Sequence, residues 1–165
     1  MTTPMWTLWM FSPPSDSFLS LSDVGGPLDR WGKQDCEWIV IAACGPLQDD
    51  LINGPGGGDV FRWRPAFDGL HMLLGYATTS FDNTEEGRLL VQNAKGSPGI
   101  PPKTVRASWF RAAIGSQPAG QGVWVGALWG ISPGANPGND HIWGHGSVSA
   151  DPKSPTTWIA MWSPI

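Results

Sequence analysis

Two groups of side chains in this sequence have the types and spacing to do chemistry, and a third suits a hard cation. Cys44 ends the apolar run Ile39, Val40, Ile41, Ala42, Ala43 and is followed at once by Gly45 and Pro46. A thiol at the carboxyl end of a buried strand lies where open parallel sheets bind their ligands. It becomes a nucleophile only with a base in reach, since a free thiol is mostly protonated at neutral pH. The second group is Asp140, His141 and His145, in a stretch broken by Gly144, Gly146 and the upstream Pro137 and Gly138. On a helix, histidines four apart would converge on a metal; the glycines predict a loop, which can still gather the three round a divalent ion such as zinc. The third is Asp49, Asp50 and Asp59 about a glycine-rich loop. Carboxylates and loop carbonyls suit Ca²⁺, although the EF-hand spacing is absent. No Lys-Ser or Lys-Thr pair opens a helix after those glycines, which excludes a phosphate-binding P-loop.

The elements that position these residues follow from hydrophobic pattern. Residues 37–43 read as a strand buried on both faces, bounded by acidic residues and by Gly45-Pro46. Leu70 to Thr79 reads as a second such strand, with helix-like spacing from Val60 to Gly69 in the crossover. Strand, helix, strand makes a parallel pair the expectation. Tyr76, Thr78, Thr79 and Ser80 then reach the edge that carries Cys44 and, with Gly45, are the candidate substrate-binding residues. His71 falls at the opposite end and is read as structural. Further strands are predicted at 5–11, 122–130 and 157–162, with a half-buried pattern at 19–24. A helical turn is predicted at 28–32, and helices at 85–94 and 104–114, the last capped by Thr104 and stopped by Gly115.

The chain has 165 residues, 41% of them hydrophobic, and 11 Trp, enough for the core of one domain. Its formal charge is -4 with scattered Lys and Arg, so it lacks the basic stripe that nucleic acid requires. No apolar run approaches the roughly 20 residues of a membrane span, and no signal peptide opens the chain. Cys36 and Cys44 lie too far apart along a strand for a disulfide. A cytoplasmic protein with two free thiols is the expectation.

The run ending at Cys44, together with the segment from Phe67 to Thr79, resembles the core of the caspase-like cysteine peptidase superfamily, CHAT and gingipain-like domains above all. The strings EWI-x-x-x-AC, GLHMLLG-x-x-TTS and WGHGSVSADP resemble more closely an uncharacterised family of bacterial and plant proteins related to it. The resemblance implies a caspase-like three-layer α/β fold with a mainly parallel central sheet. It implies Cys44 as nucleophile and a His-Gly pair on a strand upstream of it. No histidine precedes Cys44, so residues 1–165 are expected to form one such domain, N-terminally truncated and without that motif. His145, in a Gly-His-Gly setting, or His141 is then the expected base, with backbone N–H groups near Gly45 as the oxyanion hole.

Three functions follow as expectations. The first is a hydrolase of small-molecule or peptide substrates using Cys44. The second is a metal-dependent hydrolase of lactone or ester bonds in which Asp140, His141 and His145 hold Zn or Ca. The third is a non-catalytic binding module. An open sheet edge makes a homodimer the expected assembly.

Overall fold

The computed structural model describes residues 7–9, 18–20, 31–33 and 36–165. Strands β1 (Thr7–Trp9) and β2 (Phe18–Ser20) pair antiparallel in a sheet of their own. The main sheet has four strands in chain order: β3 (Trp38–Ile41), β4 (Met72–Tyr76), β5 (Trp124–Ile131) and β6 (Thr157–Pro164). Trp38 pairs with Met72 in the parallel β3–β4 ladder, while β5 runs antiparallel to both β4 and β6. The helical turn expected at 28–32 falls mostly outside the described residues, as does much of the pattern at 19–24.

Side chains alternate across β4 and β5, and each face finds a cover. Met72, Leu74, Tyr76, Val125, Ala127 and Trp129 pack on Val105, Trp109 and Ala113 of a helix. Leu73 and Leu128 face the crossover, against Leu47, Val60, Trp63, Ala66, Phe67 and Leu70. Each fully buried side chain of Val or Leu size contributes roughly 1.5–3 kcal/mol, so the central strands are the best anchored part of the sheet.

The crossover is built from caps more than from helix. Asp49 caps α1 (Asp50–Asn53) by accepting the Leu51 N–H, and its other oxygen accepts the Val60 N–H. Asp59 accepts the Phe61 N–H at the start of a 3-10 segment, Val60–Ala66, that contains Pro65. The Asp50 carboxylate accepts the Gly58 N–H. The acidic loop thus spends oxygens of all three carboxylates on backbone donors. On the other face, α2 (Glu86–Lys95) packs on α3 (Val105–Ser116). Thr104 caps α3 as expected, accepting the Ala107 N–H, but the helix runs through Gly115 to Ser116.

The expected mainly parallel, caspase-like sheet is overturned: of the three strand pairings in the main sheet, β3–β4 alone is parallel. The expectation took double burial as a mark of parallel strands. Double burial reports that both faces are covered, and a central antiparallel strand covered on both faces has the same apolar run. The strand before Cys44 is not doubly buried either. Among the described residues β3 lies at one edge of the sheet, with Val40 exposed and Ile39 and Ile41 turned to the crossover cluster. No helix among the described residues is long and apolar enough to cross a membrane.

Candidate metal centre

Because β3 and β4 run parallel, the residues just before them, Glu37 and His71, arrive at the same end of the sheet. The Glu37 carbonyl accepts the N–H of both His71 and Met72, at 2.8 and 3.2 Å. His71 is fully buried. Its Nδ1 lies 2.5 Å from Asp140 Oδ2, and its Nε2 lies 2.8 Å from Glu37 Oε2 and 3.6 Å from Asp151 Oδ1.

Asp140 is held from several directions. It follows a 3-10 turn, Pro137–Asn139, whose Pro137 carbonyl accepts the Asp140 N–H. Its own carbonyl accepts the Val105 N–H at the start of α3, at 2.7 Å, and Oδ1 accepts the Ser149 N–H at 2.8 Å. Asp151, by contrast, has a side chain 47% exposed.

Burial alone would lower the His71 pKa. The hydrogen bond to Asp140, the charges of Glu37 and Asp140, and a contact with Asp151 together outweigh it and raise the pKa above 6.5.

One imidazole nitrogen and two carboxylates here offer donor atoms that all lie within 4.8 Å of one another. Metal–ligand bonds of ~2.0–2.2 Å place tetrahedral donors about 3.3–3.6 Å apart; Asp151 Oδ1, 3.6 Å from Nε2, lies at the upper end of that range, and Glu37 Oε2, at 2.8 Å, would have to move out to reach it. A carboxylate on Nδ1, as Asp140 is here, is an arrangement that fixes the tautomer of a metal-ligating histidine. An imidazole donor suits zinc and its first-row neighbours; Ca²⁺ prefers oxygen ligands throughout. The Trp38 ring stands edge-on to His71, with centroids 6.0 Å apart, and meets the exposed Trp143 at 6.4 Å.

Of the metal ligands expected from sequence, Asp140 belongs to this centre, as the partner of His71. Among the described residues, Asp140, His141 and His145 do not converge as a ligand set. The His141 N–H donates to the Ser147 carbonyl and its ring covers Gly146, where a Cβ would fall 2.4 Å from Cγ. The His145 N–H donates to the Ile142 carbonyl.

Cys44 lies beyond the opposite, carboxyl end of β3. It is exposed, and its hydrogen-bond contacts are all with Ser80: Sγ accepts the Ser80 N–H at 3.3 Å, donates to the Ser80 carbonyl at 3.5 Å and lies 3.8 Å from Oγ. No imidazole is among those contacts. The Gly45 N–H is already given to the Thr78 carbonyl, and Thr78 Oγ1 accepts the Trp124 N–H. Arg62 pins the turn after Cys44 by donating to the Gly45, Pro46 and Gln48 carbonyls. Thr79 is exposed beside this turn. Tyr76 points into the core, where its hydroxyl donates to the Glu86 carboxylate. Cys36 and Cys44 are both free, as expected.

Sequence reasoning missed Glu37, His71 and Asp151 as a set. Two strands predicted to be parallel neighbours bring together the residues that precede them, and that signal could have joined Glu37 to His71. Nothing in the sequence marks Asp151.

The family model described as DUF6345, a domain of unknown function, matches residues 5–163. No curated protein and no solved structure matches the chain.

Proposed function

Because the chain belongs to the DUF6345 family, whose description names no activity, we propose from the chemistry of the site that it is a divalent-metal-dependent hydrolase of neutral ester or lactone substrates. The observation that carries this reading is His71 Nε2: fully buried, backed by Asp140 through Nδ1, with one carboxylate oxygen of Glu37 at 2.8 Å and one of Asp151 at 3.6 Å. His71, Glu37 and Asp151 would hold the ion. Three protein donors leave a coordination position open, which is the catalytic rather than the structural pattern for zinc. A cation held there supplies Lewis acidity and an activated water. Once His71 has lost its extra proton, Asp140 would keep the remaining one on Nδ1 and leave Nε2 to bind.

Charge selects the substrate class. Glu37, Asp140 and Asp151 together carry more negative charge than one divalent ion cancels, so a phosphoryl anion is repelled and a neutral carbonyl compound is admitted.

The test is zinc titration by calorimetry on the purified protein and on His71→Gln, followed by hydrolysis of p-nitrophenyl acetate and p-nitrophenyl phosphate. One zinc per chain, lost in His71→Gln, with the acetate cleaved and the phosphate not, is the expected result. No zinc binding and no effect of chelator would end the reading.

A second reading keeps Cys44 as nucleophile, on the ground that its exposed Sγ accepts a backbone N–H from Ser80. Turnover that disappears in Cys44→Ala and survives chelation would favour it.

A further inference from the structure

Asp140 and Asp151 bracket the segment 141–150, and the carboxylates at its two ends meet the two nitrogens of one imidazole. The first end is fixed: Asp140 is buried and bonded to His71, Ser149, Val105 and Pro137. The segment then folds on itself, with the His141 N–H on the Ser147 carbonyl at 2.9 Å and the His145 N–H on the Ile142 carbonyl at 3.0 Å. Its tip is Trp143, 65% exposed, whose ring leans on Trp38, and Trp38 in turn stands on His71. Near the second end Ser149 is tied as well, its N–H on Asp140 and its Oγ accepting the Asn136 N–H, but the Asp151 carboxylate beyond it is half exposed and 3.6 Å from Nε2. One carboxylate tight and the other loose on the same ring leaves the strap a single free fastening.

We propose that this segment is a strap that the cation fastens. The proposal rests on the metal-centre reading given above. Without an ion, Asp151 has a long contact with Nε2, and the exposed Trp143 ring rests on Trp38. An ion on Nε2 and Glu37 recruits Asp151 as its third donor and draws that end of the segment down. Trp143 is then seated on Trp38, over the centre. The segment thus couples occupancy of the centre to its own closure, and a substrate would meet a covered site only when the metal is present.

The experiment is limited chymotrypsin digestion of the whole chain with and without saturating zinc, with zinc binding measured on the same samples by calorimetry. Trp143 and Phe81 are both exposed cleavage sites, and Phe81 lies outside the strap. Zinc should slow cleavage after Trp143 by about tenfold or more while leaving cleavage after Phe81 unchanged, the mark of a local rather than a global closing. In Asp151→Asn that protection should vanish, whether the variant holds zinc through His71 and Glu37 or loses it. Stoichiometric zinc binding with unchanged cleavage after Trp143 would overturn the strap and leave the metal centre standing. Protection that persists in Asp151→Asn would do the same. Absence of zinc binding would remove both.

Discussion

Glu37 holds His71 twice: its carbonyl accepts the His71 N–H at 2.8 Å, and its carboxylate Oε2 lies 2.8 Å from the imidazole Nε2. The first contact belongs to the start of a parallel ladder and would form with almost any side chains in place. The second depends on the chemistry of these two. Backbone pairing sets the spacing, and the side chains put it to use.

Removing the imidazole leaves three carboxylates facing one another, one of them buried. His71→Ala should cost about 3–5 kcal/mol in urea denaturation, the usual price of stranding a buried charge. Adding Asp140→Asn to that variant should recover part of the loss, because the buried carboxylate is then neutral.

The raised pKa of His71 fixes the sign of a pH dependence. Above its ordinary value of 6.5 the folded chain keeps a proton that the unfolded chain has released, so stability falls as pH rises. This contribution is complete below 6.5 and is lost as pH climbs through the raised folded value. Zinc needs the neutral imidazole, so the stabilisation it adds should grow over the same window. Melting curves from about pH 5 to about pH 9, with and without zinc, should separate progressively toward alkaline pH.

The two thiols should react at different rates. Cys44 is exposed, whereas Cys36 is half-buried and its thiol is pushed up by burial and by the Glu37 charge. Iodoacetamide should label Cys44 faster by about tenfold or more, read by peptide mass spectrometry. Cys44→Ala should change stability by less than about 0.5 kcal/mol, as exposed positions do.

Tyr76 anchors a polar network inside the helix-covered face. Its hydroxyl donates to Glu86, whose Oε1 also receives Ser116 Oγ and Gln117 Nε2. Burial, then the bond to Glu86 and its charge, push the Tyr76 pKa up, which keeps the phenol protonated as a donor. Tyr76→Phe should cost about 2 kcal/mol in chemical denaturation, the scale of a hydrogen bond to a charged group.

Much of the fold was legible because pattern and punctuation agree. The parallel pairing of the strands before Cys44 and after His71 followed from two apolar runs and a crossover of the right length. The buried face of α3 followed from Val105, Trp109, Ala112 and Ala113 at helical spacing. Strand direction beyond that pair was not legible, since Val125 and Ala127 are buried in the same way whichever way β5 runs. The metal centre was half visible. Asp140 drew notice beside two histidines, but its partner proved to be His71, 69 residues away and brought near by sheet order. A buried histidine at a strand start reads as structural until its neighbours are known, and Asp151 is one acidic residue in a polar stretch.

The main sheet follows chain order, so β4, β5 and β6 can each pair with the strand just before. The His71 cluster does not share that order, because it joins residues 37 and 71 to 140 and 151 across the whole succession. Such closures are the slow steps of folding, since the loop entropy of the long connection is lost before any contact returns it. The cluster should therefore close late in refolding. Capture of zinc after dilution from denaturant should lag behind the rise of β structure in far-ultraviolet circular dichroism, by the time the segment after β5 takes to reach the amino end of β4.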